Sequence, residues 1–260
     1  TPARTGSVRR LAAFAAHAGA GPLPALLALS GAAYLTLAFL PQSAGLAALC
    51  GSLGIEELWR FPEAVLFWTS PGALALEWVL MVVAMMTPLT AFALAYVHRS
   101  LAPRSRRAGI AGFLLGYWAT WCVSIAVVLP LSLLLVSAVE QPLAFPAALA
   151  LALIHAASPM AQRARNRAHG TLRLAPFGLC AVRDCIRLGI VSGLRCIAVC
   201  WPWMVLPMTV ESWHFVLMML AGLYLLADRL APPAPPVWRA PPAWETVMGP
   251  SRLSVPRRVS

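Results

Sequence analysis

Six stretches of this chain are long and apolar enough to cross a bilayer, at about 22–41, 73–97, 108–137, 143–159, 188–209 and 213–230. A membrane span takes roughly 20 mostly apolar residues as a helix, because the hydrocarbon core leaves no water to satisfy exposed backbone. The pattern predicts an all-α integral membrane protein, a bundle of about six transmembrane helices. Composition agrees. The chain is 60% hydrophobic and 11% charged, with a mean hydropathy of +0.75. No soluble domain of this size hides that much apolar surface. The first apolar segment starts near Pro22 and is long enough to span, so it reads as a span rather than a cleaved signal. Residues 1–21 are expected to be a cytoplasmic N-terminal segment before the bundle at 22–230, and 231–260 a cytoplasmic tail rich in proline and arginine.

The net charge of +11 is carried by arginine alone. With the N-terminus inside, Arg60 is the one arginine in an outer segment, Arg195 falls within the fifth span, and the rest are inside. This is the positive-inside pattern, with both ends inside. The charge therefore reads as topology and lipid contact, not as a nucleic-acid surface. Between the first two spans, "GIEELWRFPEAVLFWTSPG" reads as an interfacial helix or loop. The tail is expected to be extended unless a partner orders it.

Four sulfur side chains, Cys196, Cys200, Met204 and Met208, recur at four-residue steps in "RCIAVCWPWMVLPM". On a helix they form one stripe about 18 Å long, too long for one coordination sphere. Adjacent members, such as Cys196 with Cys200, could share a soft ion such as copper(I), Cu(I). The stripe reads equally as apolar packing. In "EWVLMVVAMMTP", Glu77, Met81 and Met85 share a face, with Met86 beside them. Glu77 at the outer mouth is either a cation-collecting acid or a wet interfacial one. In the outer turn "MTVESWHFVLMM", Glu211 and His214 lie three apart. His214 is either a metal ligand or an interfacial histidine. The inner loop carries His155, His169, Cys180 and Cys185, whose spacing is not that of a zinc finger. Its arginines read as an inside anchor, and Asp184 is expected to pair with Arg183 or Arg187 on a short amphipathic helix. Gly116 and Thr120 form a small-residue face, and Trp118, Trp121 and Cys122 read as packing. No acid-base or nucleophile set converges by spacing, so an enzyme is not expected. A transporter has little support, with few intramembrane charges beyond Glu77 and Arg195 and no paired broken helices.

"WVLMVVAMMTP" at 78–88, "GYWATW" at 116–121 and "GLRCIAVCWPWM" at 193–204 together resemble predicted metal-binding integral membrane proteins related to the membrane copper chaperone of tyrosinase-type polyphenol oxidase. The resemblance covers roughly 73–230. It implies copper handling at the bacterial inner membrane, for a copper enzyme. It places Met81, Met85 and Met86 on the family's methionine-rich helix. Cys196, Cys200, Trp201 and Met204 fall on its Cys-x-Gly-Cys-Cys-Trp-x-Leu-Met element. Where that element has Gly-Cys-Cys, this chain has Ala198, Val199 and Cys200, and "AQRARNRAHG" stands where the family's inner loop carries a cysteine pair. The resemblance thus implies either copper held by fewer thiols, or a fold kept as a non-catalytic subunit of a larger respiratory, photosynthetic or monooxygenase membrane complex. The tail would then be a docking arm.

Overall fold

A computed structural model describes residues 23–39, 71–139, 141–210 and 213–241. Among these residues the fold is helical, with no strand. The helices are α1 (Leu23–Phe39), α2 (Pro71–Met86), α3 (Ala91–Ser100), α4 (Arg106–Ala138), α5 (Gln141–Ala157), α6 (Pro159–Ala168), α7 (Gly178–Val205) and α8 (His214–Leu230), with 3-10 turns at Pro88–Thr90 and Leu206–Thr209. The interfacial stretch between α1 and α2, Glu211 and the end of the tail lie outside the described residues.

Two helical stretches, Arg106–Ser132 and Gly178–Thr209, are each long and apolar enough to cross a membrane. Among the described residues there are up to four such spans if two bent pairs count as one span each. Proline sets both bends. Pro88 has no N–H for the helical ladder, and the chain turns by 44° between α2 and the stretch leading into α3. The second span anticipated from the sequence is therefore broken. Between α5 and α6 the turn is 65°. There Ser158 is extended (φ −73°, ψ 150°), its side chain accepts from the Ala161 N–H, and Pro159 opens the helix. This is a capped restart with proline where no donor is needed. Two bent helix pairs are thus present among the described residues.

The helix of the expected fifth span, α7, starts at Gly178, ten residues before the expected 188. Its first turns are polar outside but bury Ala181 and Cys185. Asp184 does not fill the expected role of arginine partner: its carboxylate accepts the Ala175 N–H at 3.1 Å and ties down the loop before the helix.

The spine of the bundle is α4 against α7. Gly112 and Gly116 on α4 sit against Val182, Ile186 and Ile190 of α7, and Gly189 and Gly193 on α7 sit against Phe113, Tyr117 and Thr120 of α4. A Cβ on Gly116 would strike the Ile186 carbonyl, and one on Gly189 would strike the Phe113 carbonyl and come within 2.9 Å of the Tyr117 amide. Paired small residues four apart let backbones approach with no side chain between them. On the other side, α2 packs against α1, α4 and α8. The Trp78 Nε1–H donates to the Trp121 carbonyl at 3.1 Å, and the Ser30 hydroxyl donates to the Ala84 carbonyl. Along α2 and α7 there is no extended contact, although both feed one buried core. A copper path needing those two helices side by side is not built that way.

The loops at 101–106 and 169–177 and the chain after α8 share one end of the molecule. Ala102 N–H donates to the Pro176 carbonyl at 3.0 Å, and Arg239 N–H donates to the Ala157 carbonyl at 3.2 Å. Residues 231–241 form neither helix nor strand and are docked on the bundle: the Asn166 amide gives one hydrogen bond to the Ala234 carbonyl (2.8 Å) and takes one from its N–H (3.2 Å).

Candidate metal centre

Cys196 and Cys200 are one turn apart on α7, so their side chains share a face. Their Sγ atoms lie 3.4 Å apart, and both residues are buried. The close α4–α7 seam presses the Tyr117 and Trp121 face of α4 onto them. The Tyr117 hydroxyl and the Trp121 indole lie against the Cys196 sulfur. Trp121 Nε1 is buried without an aligned hydrogen-bond acceptor among the described residues, and the Tyr117 hydroxyl makes only a long bond, 3.4 Å, to the Met86 carbonyl. Two buried donors thus sit beside one sulfur with their capacity largely unspent.

Both cysteines line a cavity of about 10 Å³ that also meets Arg165, His169, Asp228 and Arg229. That is about the room of a single water-sized sphere. The polar wall is built by two helices, α6 with its C-cap His169 and α8. Arg165 of α6 is 6% exposed and Asp228 of α8 is 4% exposed, and they pair at 3.5 Å. The Arg165 guanidinium also donates to the Ala156 carbonyl (2.9 Å) and to the Gln162 side-chain oxygen (3.1 Å). This arginine is therefore no surface anchor, contrary to the reading of the inner loop as an anchor. A charge removed from water survives when paired and hydrogen-bonded, and Arg165 is both. A second, larger cavity, about 250 Å³, shares Leu89, His169 and Arg229 with the first and has Tyr117 in its wall.

Among the nine residues expected to handle metal, the two cysteines come together. Met204 is buried on α7, whereas Met208 falls in the 3-10 turn beyond the helix end. The Met208 sulfur accepts the Ser132 hydroxyl at 3.2 Å. Met81, Met85 and Met86 are fully buried on α2. Met85 points toward Gly222 of α8, where a Cβ would lie 3.9 Å from its Cγ. Glu77 is half-buried near the start of α2. The His214 Nδ1–H donates to the Pro207 carbonyl at 2.8 Å, which leaves Nε2 as the ring's lone-pair nitrogen. In the inner loop, His155 Nε2–H donates to the Ala198 carbonyl at 3.0 Å, Cys180 is exposed and Cys185 is buried. Among the described residues no three His, Cys, Asp or Glu side chains converge as a metal cluster.

Sequence reasoning missed Tyr117, Asp228 and the site roles of Arg165, Arg229 and Trp121. Asp228 had a signal, an acid inside an apolar span. The seam had one too: "GFLLG" at 112–116 and "GIVSG" at 189–193.

The family model for the PpoB2 copper chaperone matches residues 75–250. The match runs from α2 through α8 and into the tail. No curated protein and no solved structure matches the chain.

Proposed function

Because the chain belongs to the PpoB2 copper chaperone family, we propose that it is a membrane-embedded accessory protein that holds Cu(I) and passes it to a copper enzyme, with no catalytic cycle of its own. The observation that carries this reading is the buried pair of sulfurs 3.4 Å apart at the wall of an ion-sized cavity. Copper(I) is soft and prefers thiolate and thioether ligands. With metal–sulfur bonds of about 2.3 Å, the zinc value, a two-coordinate ion places its sulfurs up to about 4.6 Å apart. Rotation of the two cysteine side chains away from each other, from 3.4 Å, has to supply that separation.

The surrounding residues fit such cargo. The thiolate is the metal-binding form of cysteine, so one Cu(I) on two thiolates carries one negative charge. Arg229 at the cavity wall supplies the counter-charge. The Tyr117 hydroxyl and Trp121 indole supply donors to the sulfur. Two thiol ligands, rather than a closed set of four, leave copper open to capture by a partner. Met204 is the next sulfur on the helix. Met208, His214 and Glu77 belong to the opposite end of any longer route, whereas Met86 lies nearer the cysteines, its carbonyl accepting from the Tyr117 hydroxyl.

The bundle is proposed to span the bacterial inner membrane about six times, with both ends inside. The gathering of the arginine-bearing loops and the chain after α8 at one end supports this. Its partners are then the bilayer and the copper enzyme or a larger membrane complex. A second reading, a non-catalytic structural subunit that has lost metal, is favoured by one observation: no third His, Cys, Asp or Glu joins the cysteines among the described residues. Anaerobic Cu(I) titration of the detergent-extracted protein separates the two. One tightly held copper per chain, lost in Cys196→Ser/Cys200→Ser, supports the chaperone. No copper in the wild-type protein leaves the structural subunit.

A further inference from the structure

We propose that copper reaches Cys196 and Cys200 from the arginine-rich end, and that it arrives as an anionic complex with a low-mass thiol rather than as a bare cation. This rests on the copper reading above.

Three observations carry it. The first is continuity. The cavity at the cysteines and the 250 Å³ cavity beside it share Leu89, His169 and Arg229. The larger one also meets Gly170 and Thr171, in the exposed loop after α6. The sulfurs therefore lie at the blind end of a vestibule. The second is size. The outer chamber takes a small molecule, while the inner one, about 10 Å³, takes an ion stripped of its carrier. The third is charge. Asp228 is the one acid among the described residues lining either chamber, and it is already paired with Arg165. Arg229 adds a positive charge where the chambers meet. A lined cleft of one sign concentrates ligands of the other. This one repels free Cu(I) and attracts an anion.

The step is a ligand exchange without redox change. A bis-thiolate complex of Cu(I), charge −1, meets two cysteine thiols. Each Cu–S(carrier) bond is replaced by a Cu–S(cysteine) bond, and each cysteine proton leaves on a carrier sulfur. The products are Cu(I) on two cysteine thiolates, again −1, and two neutral carrier thiols. Arg229 faces the same charge before and after. The released carrier has lost the charge that drew it in, and it departs through the outer chamber.

The test uses the full-length protein in detergent, under anaerobic conditions, with Cu(I) presented by three small thiols that differ in charge: mercaptoacetate, mercaptoethanol and 2-aminoethanethiol. Their bis-thiolate complexes carry −3, −1 and +1. Uptake is expected to be fastest from the first and slowest from the last, spanning at least about tenfold and shrinking with added salt. Arg229→Gln should compress the spread to about twofold. Thr171→Trp, a bulky residue at the exposed mouth, should slow all three donors by a similar factor. Equal wild-type rates for the three donors overturn the route while leaving the copper reading intact, and need no variant to fold. Uptake fastest from the cationic donor overturns it as well. No uptake from any donor at equilibrium removes the copper reading, and the route with it.

Discussion

The cysteine half and the methionine half of the sulfur stripe obey the same four-residue spacing and live in different surroundings. Cys196 and Cys200 sit 3.4 Å apart against a cavity that meets two arginines, an aspartate and a histidine. Met204 is sealed among apolar neighbours, and Met208 has left the helix for a 3-10 turn, its sulfur taken by the Ser132 hydroxyl. Pro207 contributes to that change of register, since it cannot donate to the ladder. Periodicity puts sulfur atoms on a face; access and charge decide which of them can meet an ion. The cysteine half has both. The methionine half has the packing that any thioether offers a core.

The largest effect is expected from removing the sulfurs that face the cavity. Cys196→Ser/Cys200→Ser should lower copper from about one per chain to background in an anaerobic titration, and each single replacement should weaken Cu(I) affinity by at least about a hundredfold, one ligand of two being gone. Helix content by circular dichroism should be unchanged. If the double variant still carried a full equivalent of copper, the difference between the two halves would be only one of appearance.

Next comes the support of the cysteine end. Replacing Arg165 by Met leaves Asp228 as an unpaired buried carboxylate, which costs about 3–5 kcal/mol when such a pair is broken on one side. The Ala156 carbonyl also loses its donor. The double variant Arg165→Met/Asp228→Leu removes both charges and should recover most of that loss. Denaturant unfolding in detergent, followed by tryptophan fluorescence, checks both. A single variant as stable as wild type would show that the polar wall is wet and that the cysteines face solvent rather than a closed chamber. Asn166→Ala is expected to act more weakly, by about 1–2 kcal/mol, since it releases residues 231–241 at Ala234 and touches neither sulfur. Faster proteolysis after α8 would register it.

How much of this could be read from the sequence differs between the same two halves. The apolar lengths of α4 and α7 are plain in the sequence, and the cysteine spacing is visible in "CIAVC". What no local pattern contains is which helices meet. Tyr117, Arg165 and Asp228 converge on the sulfurs from three helices, and their separations along the chain carry no period. The stretch around Arg183, Asp184 and Arg187 reads as a short amphipathic helix; what the sequence did not show is that it is continuous with the fifth span as the start of α7, burying Ala181 and Cys185. Pro88 and Pro159 did mark the two breaks, and a reading that counts apolar residues alone passes over them. The four seam glycines were readable as two small-xxx-small pairs. They explain why two donors from α4 are held against Cys196.

The smallest effect is expected at the far end of the stripe, and it is the most discriminating. Met208→Leu keeps volume and apolar character, and such swaps usually cost less than about 1.5 kcal/mol. It also removes the acceptor of the Ser132 hydroxyl, but that hydroxyl donates to the Val128 carbonyl as well, at 2.8 Å, so no buried group is stranded. Copper stoichiometry should stay at about one, with affinity changed less than about threefold. Met204→Leu should behave similarly in stability. Its copper affinity is the more sensitive reading, because Met204 alone continues the stripe on the helix itself. A drop of tenfold or more there would extend the metal site beyond the cysteines and move the boundary between the two halves one helical turn outward. No change would fix that boundary between Cys200 and Met204, where the polar wall of the cavity ends.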